Sequence, residues 1–230
     1  MTFTRYAIYY APPAGADWSR FGARWLGWDM ETGTGAAHPD HPALAGLDIA
    51  AITQVPRKYG LHATLKPPMR LADGATVEAL DKACAALAAT QAPVVLDGLE
   101  LARLGRFLAL RVTGDETALK ALAAACVREL DTFRAPAPEA ELARRRAAGL
   151  TDAQEENLTR WGYPYVMEAF KFHITLTGKL PKPELPAVEA ALAETLLPLL
   201  PAPFEIRDLA LMGEDRDGRF HLIHRYALSG

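Results

Sequence analysis

Hydrophobic and polar positions follow two different periods along the 230 residues of the chain. Apolar and aromatic runs bounded by Gly, Pro or charged residues are typical of strands, and Ala- and Leu-rich stretches with apolar spacings of three and four are typical of helices. Pro67 and Pro68 are expected to end the predicted strand over residues 61–65. The predicted strands are residues 6–10, 61–65, 93–104, 107–112, 170–176, 204–211 and 219–228. The predicted helices are residues 17–26, 76–89, 115–133 and 184–199.

The order strand, helix, hairpin occurs twice, which indicates an internal repeat. The first unit covers about residues 57–113 and opens on His-Ala-Thr-Leu at 62–65, and the second covers about residues 168–228 and opens on His-Ile-Thr-Leu at 173–176. Residues 134–163 are rich in charge and are predicted to form a helical connector. Two such units can associate about a pseudo-twofold axis, with their His strands on either side of one cleft. We therefore expect a single bilobal domain over residues 1–230.

Each of the two motifs places polar side chains on one face of its strand, because residues i and i+2 of a strand point to the same side. The apolar residues between them face the opposite side and are expected to pack on a helix. The first polar face carries His62, Thr64 and Lys66, and the second carries Lys171, His173 and Thr175.

These residue types fit acid–base chemistry on an anionic ester. Histidine takes and gives protons near neutral pH, so two of them across a cleft can serve as base and acid for in-line attack at phosphorus. Threonine hydroxyls can donate hydrogen bonds to phosphate oxygens, whose charge grows in the transition state. Lysine adds positive charge. The geometry leaves open which of His62 and His173 is the base.

The two His-x-Thr-hydrophobic motifs, each opening a duplicated unit, resemble the two-histidine (2H) phosphoesterase superfamily. The similarity is greater to its uncharacterised branch associated with phosphonate-utilisation operons, and it covers most of the chain. The segments that carry this resemblance are YGLHATLKPP at 59–68, RWGYPY at 160–165 and FHITLTG at 172–178.

The resemblance implies an α+β fold in which two antiparallel sheets line a central cleft, with helices outside. It implies catalysis without a metal or cofactor on a small cyclic phosphodiester, with His62 and His173 as catalytic residues and Thr64 and Thr175 as phosphate-binding residues. The operon association suggests a ribose cyclic phosphate from phosphonate breakdown as substrate. An RNA-terminal 2′,3′-cyclic phosphate is an alternative substrate, and a binding protein that holds a phosphorylated ligand without turnover is an alternative function.

Further side chains are candidates for substrate contact. Arg134 precedes a proline turn, where it either clamps a phosphate or sits at a helix end. Three tyrosines flank the motif segments and either stack on a base or sugar or pack in the core. They are Tyr59, Tyr163 and Tyr165.

Composition narrows the partners further. The net charge is −3, so no overall basic field attracts nucleic acid or an anionic membrane. No signal peptide or membrane span is recognisable, and we expect a cytoplasmic protein without an obligate protein partner. The segment 38–41 resembles the end of the metal-binding motif of metallo-β-lactamases, but Ala36 stands where its first histidine belongs, so no metal site is expected.

Overall fold

The computed structural model describes residues 2–230. No helix in this range is both long and apolar enough to cross a membrane. The strands are β1 (Arg5–Tyr10), β2 (Trp28–Asp29), β3 (Thr34–Gly35), β4 (Ala63–Met69), β5 (Val94–Leu96), β6 (Gly98–Leu104), β7 (Phe107–Thr113), β8 (Ile174–Thr175), β9 (Phe204–Ile206), β10 (Asp208–Glu214) and β11 (Phe220–Ala227). The α-helices are α1 (Asp17–Leu26), α2 (Ile49–Ile52), α3 (Gln54–Arg57), α4 (Val77–Ala88), α5 (Thr117–Glu129), α6 (Glu139–Arg146), α7 (Asp152–Trp161) and α8 (Leu185–Thr195).

Each His strand is hydrogen-bonded into the sheet of the other repeat unit. Sheet 1 has the order β11-β10-β1-β4, so the strand after His62 joins the hairpin of the second unit through β1. Sheet 2 has the order β6-β7-β8, so the strand after His173 joins the hairpin of the first unit. Strands β5 and β9 pair with each other and link the units again. The two units are therefore interlocked.

The predicted α+β class with two antiparallel sheets and outer helices is confirmed. All strand pairings of both sheets are antiparallel. Helix α5 packs on β4, α4 packs on β10 and β11, and α8 packs on β7. The element order β4-α4-β5-β6-β7 recurs as β8-α8-β9-β10-β11, as the repeat in the sequence indicates.

Two strands are shorter than the sequence pattern suggests. The expected strands 93–104 and 204–211 each break after three residues, at Asp97 and Arg207. The residues before each break pair across the units, Val94 with Ile206, whereas the residues after it enter sheet 2 or sheet 1. The chain must change partners at these points, and hydrophobicity alone does not reveal such a change.

Strand β4 runs through Pro67 and Pro68, which corrects the expectation that the prolines end it. Proline is tolerated because β4 is at the edge of sheet 1, where one proline faces the free side, and because the register with β1 shifts between Lys66 and Met69, where the other lies. The register also shifts, since Tyr9 pairs with Thr64 but Ile8 pairs with Lys66. This β-bulge changes the side to which Lys66 points.

Apolar side chains form two cores, one on each face of sheet 1. The larger core contains Ile8 and Tyr10 of β1 together with the apolar faces of α1, α4, α5 and α8. The smaller core lies on the opposite face and contains Tyr9, Trp28 and Phe220. Alternation along β1 thus supplies both cores, and the smaller one supports the face that carries His62.

Helix α1 contacts the chain just before the first motif and just after the second. Its buried residues Trp18, Gly22 and Trp25 recur at helical spacing. The Trp25 indole N–H donates to the Leu176 carbonyl oxygen over 2.8 Å, just after the second motif strand. Gly22 packs against Leu61, the residue before His62. One helix therefore holds both motif segments.

We predict that Gly22→Ala destabilises the protein, although alanine in a helix is more favourable than glycine by about 1 kcal/mol. An added Cβ would lie 2.1 Å from Leu61 Cδ2, and the Leu61 side chain is buried. The resulting overpacking should cost about 1–3 kcal/mol of unfolding free energy in urea denaturation. At Gly35 a Cβ meets nothing within 4 Å, so Gly35→Ala should stay within about 0.5 kcal/mol of wild type. Equal stability of the two variants would contradict the packing argument.

Candidate active site

A cleft of about 840 Å³ lies between the two sheets and the connector. Sheet 1 contributes Thr64 and Pro67 of β4, and the turn between β6 and β7 contributes Gly105. The segment before β8 contributes Lys171 and His173. The connector and the chain that follows it supply the remaining wall, through Gln154, Tyr163, Tyr165, Val166, Ala169 and Phe170.

The two motif histidines are held in the same way. His62 Nδ1 lies 3.0 Å from the Gly60 carbonyl oxygen, and His173 Nδ1 lies 2.9 Å from the Lys171 carbonyl oxygen. Each ring nitrogen therefore bonds the backbone two residues earlier in the chain. A hydrogen bond from Nδ1–H to a carbonyl selects the tautomer in which Nε2 is the free proton acceptor. Gly60 suits this turn because its φ is +71°, a backbone conformation that residues with a side chain rarely adopt.

His62 and His173 are close enough to affect each other electrostatically. Burial lowers the pKa of His62 to about 4, a hydrogen bond with Gly60 opposes this shift, and His173 lowers the pKa further. Both side chains are half-buried. His173 lines the cleft, whereas His62 lies behind the lining, two residues before Thr64, which is part of it.

The threonines follow their histidines at the same distance. Thr64 is opposite Tyr9 in sheet 1, and Thr175 is opposite Ala109 in sheet 2. Both side chains are half-buried, and Thr64 is part of the cleft lining. Lys171 is exposed at the cleft margin, where its charge can reach a ligand.

Lys66 does not face the cleft, which corrects the expectation that it adds charge there. Its side chain is 2% exposed, and Nζ donates to the Val127 carbonyl oxygen over 3.0 Å and to Asp131 Oδ1 over 3.2 Å. The bulge in β4 turns it toward the end of α5. Burial lowers the pKa of Lys66, and the nearby Asp131 carboxylate opposes that change. Lys66 is part of a buried ion pair.

Arg134 is also engaged elsewhere, so the structure does not support a phosphate clamp. Its guanidinium donates to Asp131 Oδ1 over 2.7 Å and to Oδ2 over 2.9 Å, and a third bond reaches the Arg160 carbonyl oxygen. Asp131 therefore already occupies the two-pronged face that would bind a phosphate. The Arg134 guanidinium thus links the turn after α5 to the end of α7 by hydrogen bonds.

The three candidate tyrosines have different surroundings. Tyr163 and Tyr165 line the cleft, with ring centroids 5.7 Å apart in an edge-to-face arrangement. The Arg145 guanidinium lies 4.5 Å from the Tyr163 ring centroid, and burial raises the pKa of Tyr163. Tyr59 instead packs against the His62 ring at 5.5 Å. Two tyrosines are thus placed for ligand contact, and Tyr59 packs on a motif histidine.

The sequence pattern did not reveal several residues that lie near the histidines or line the cleft. The Tyr9 ring centroid lies 4.1 Å from that of His62, and Phe107 lies 6.3 Å from His173. Gln154 lines the cleft while its Oε1 accepts from the Thr151 N–H in the capping box of α7. Apolar residues on both faces of β1 indicate a strand buried on both sides, but they do not show which face Tyr9 shares with His62.

The histidines of the segment 38–41 have structural roles. His38 Nδ1 lies 3.1 Å from the Arg24 carbonyl oxygen, and His41 Nδ1 accepts from the Ala43 N–H over 3.1 Å at the start of a 3-10 turn. Within residues 2–230, no group of three or more His, Cys, Asp or Glu side chains is arranged to hold a metal ion.

Comparison with known proteins identifies the family. The model of the family described as a protein of unknown function, DUF1045, matches residues 64–221, which is more than half of the chain. The chain belongs to this family. The match includes Thr64, the connector and the whole of the second motif.

Two curated relatives of the DUF1045 chain are each named ribose 1,5-bisphosphate phosphokinase PhnN. The protein of Janthinobacterium sp. (strain Marseille) is 40% identical over 179 residues, which are 78% of this chain and 40% of that protein. The protein of Laribacter hongkongensis (strain HLHK9) is 35% identical over 190 residues, which are 80% of this chain and 42% of that protein. The chain thus spans less than half the length of these relatives.

Several solved structures are similar to the DUF1045 chain over its whole length. Escherichia coli LigT complexed with NADP+ aligns over 100% of both chains with a TM-score of 0.47 and 14% identity. A structure described as a phosphoesterase aligns over 99% of both chains with a TM-score of 0.44 and 14% identity. The protein TT0787 of Thermus thermophilus aligns over 98% of both chains with a TM-score of 0.44 and 16% identity. Similarity at this level says nothing about the substrate of the DUF1045 chain.

We predict that the two lysines of the DUF1045 chain contribute very differently to stability. Lys66→Ala removes the buried partner of the half-buried Asp131 carboxylate but leaves Arg134, so the loss of unfolding free energy should be about 2–4 kcal/mol. Lys171→Ala, the matched exposed control, should change it by less than about 0.5 kcal/mol. Urea denaturation at neutral pH measures both. A stable Lys66→Ala variant would mean that this lysine is not a structural ion-pair partner.

We also predict a pH-dependent contribution of His62 to stability. An unfolded chain binds a proton at this residue near pH 6.5, whereas the folded protein does so only near pH 4. The free energy of unfolding therefore decreases progressively as the pH falls from 6.5 to 4, by about 1–3 kcal/mol in total. The difference in unfolding free energy between wild type and His62→Asn should change across this interval and be constant above it. Parallel stability curves for the two proteins would contradict the prediction.

Proposed function

We propose that the chain is a metal-independent phosphodiesterase that opens a small cyclic phosphate ester, with His62 and His173 as its acid–base pair. The observation that carries this proposal is the matched anchoring of the two imidazoles. Each Nδ1 is bound to a backbone carbonyl two residues earlier, and each histidine is followed by a threonine at the same spacing. Such pairing on two sheets around one cleft supports a base and an acid that act on the same phosphorus atom.

The proposed reaction is balanced by two proton transfers. One neutral histidine takes a proton from water as the water oxygen bonds to phosphorus. The other, protonated, histidine gives a proton to the ring oxygen as its bond to phosphorus breaks, so the product is a phosphate monoester. Thr64 and Thr175 donate hydrogen bonds to the non-bridging oxygens, where negative charge increases in the transition state. Lys171 at the cleft margin adds positive charge.

A phosphorylated ribose cyclic phosphate is the substrate that we favour, in line with the operon association of the resembling branch. The curated relatives are named for a kinase of ribose 1,5-bisphosphate. Water opening of the 1,2-cyclic phosphate of ribose 5-phosphate, with departure of the C2 oxygen, yields ribose 1,5-bisphosphate. The proposed activity would therefore supply the compound in the relatives' name.

A nucleoside 2′,3′-cyclic phosphate, including an RNA terminus, is the second candidate substrate. Tyr163 and Tyr165 in the cleft offer faces on which a base can stack, which favours this alternative. The net charge of −3 argues against extended contacts with a long RNA. Steep salt dependence of oligonucleotide binding would favour the RNA substrate.

We predict turnover in excess EDTA and its loss in either histidine variant. His62→Ala and His173→Ala should each lower kcat/KM by at least about 100-fold, since one acid–base group contributes typically 10²–10⁴-fold. The assay compares ribose cyclic phosphates with 2′,3′-cyclic nucleotides and separates the two candidate substrates. His224→Ala is the matched control, because His224 is exposed on β11 and its ring packs against Tyr226.

Each contrary outcome has a distinct meaning. Activity that survives both single substitutions would reject the acid–base assignment, and activity lost in EDTA would indicate a metal-dependent enzyme. Tight binding of these compounds without turnover would indicate a binding protein.

A further inference from the structure

The two motif histidines share their backbone anchors but not their neighbours. The His62 ring lies 4.1 Å from the Tyr9 ring centroid, with 32° between the planes, and 5.5 Å from Tyr59. His173 has Phe107 at the longer distance of 6.3 Å, with 56° between the planes. One imidazole is therefore covered by an aromatic face, and the other lies at the cleft surface.

The register of sheet 1 places Tyr9 under His62. Tyr9 is opposite Thr64 across the β1–β4 pair, so its side chain shares the face of β4 that carries the first motif. Phe220 of β11 supports the Tyr9 ring from behind, at 5.6 Å. Only 1% of the Tyr9 surface is exposed. The ring cannot swing away from His62 without opening the smaller core.

Two contacts together fix the His62 ring. The hydrogen bond between Nδ1 and the Gly60 carbonyl oxygen fixes one edge, and the Tyr9 face restricts rotation of the ring plane. The same enclosure excludes water from one side of the imidazole. Removal of water disfavours the charged form of a histidine, so His62 is held neutral and able to accept a proton.

We propose that Tyr9 is a positioning residue that holds His62 as the base of the pair and thereby leaves the acid role to the more open His173. The inference rests on the proposed function. Tyr9 acts through His62, so its effect should be on the rate and its pH dependence more than on substrate affinity.

The ionisable groups around this pair come from several elements. Tyr9 of β1, Tyr59 after α3 and His173 before β8 are those next to His62. The ion pair of Arg5 with Glu214, and Tyr163 after α7, act on Tyr9. The pKa of Tyr9 is raised well above its usual value by burial first and then by Tyr59, so Tyr9 stays protonated at neutral pH.

The test compares Tyr9→Leu with Tyr10→Leu in the cyclic phosphate assay with EDTA. Tyr9→Leu removes the ring over His62, so kcat should fall about tenfold while KM changes less than about twofold. The acidic limb of the kcat/KM profile, which reports the base of the free enzyme, should move by about one unit toward neutral pH. Tyr10 is the next residue, equally buried but on the opposite face, so Tyr10→Leu should lose stability without moving the limb. Tyr9→Phe keeps the ring and should restore the limb.

A direct measurement keeps the inference testable if Tyr9→Leu does not fold. Titration of wild type by NMR should show His62 losing its proton below the usual pH range of a histidine. A His62 that keeps its proton up to neutral pH, or a folded Tyr9→Leu whose acidic limb matches that of Tyr10→Leu, would overturn the role of Tyr9. Failure of the proposed function is distinguishable, because wild type then shows no turnover in EDTA or the activity survives His62→Ala and His173→Ala, and neither result depends on where His62 titrates.

Discussion

The exchange of strands between the two repeat units is the constraint on which the site depends. β4 has its hydrogen bonds with β1, which joins it to the hairpin of the second unit, and β8 has its hydrogen bonds with β7 of the first unit. Each His strand therefore completes a sheet that also contains the hairpin of the other unit. Helix α1 adds a third link through Trp25 and Gly22. The backbone, and not flexible side chains, therefore sets the separation of the two imidazoles, as a preorganised site requires.

An insertion into one sheet explains why the two halves of the site differ. β1 lies between β10 and β4 in sheet 1, whereas β7 and β8 are direct neighbours in sheet 2. The extra strand brings Tyr9 to His62 and has no equivalent beside His173. The repeat supplies two similar histidine–threonine motifs. The added strand β1 packs the apolar face of Tyr9 against the histidine of the first motif only.

The sequence predicted the parts of the site that depend on local pattern. The boundaries of α1 and the order of elements in both units follow from the spacing of apolar residues. Lys66 was placed wrongly because a bulge, which depends on the neighbouring strand, alters the alternation of side chains. For Arg134 the sequence left a phosphate clamp and a helix-end position open, and the structure has its guanidinium bound to Asp131, three residues earlier.

Long-range pairing explains what the sequence left out. The breaks at Asp97 and Arg207 exist because β5 and β9 pair with each other. The contact of Tyr9 with His62 joins residues that are far apart in the chain, and it follows only from the order of strands in sheet 1. No local feature of the segment 6–10 distinguishes the cleft face from the core face.

The connector breaks the symmetry of the cleft in a second way. Gln154, Tyr163 and Tyr165 line one side only, because the insertion occurs once between the two units. Under the proposed function, a chiral sugar ester bound against such a one-sided wall would meet the two histidines in only one orientation. The handedness of the pocket would then decide which ester oxygen faces which imidazole, and hence which regioisomer of the product is released.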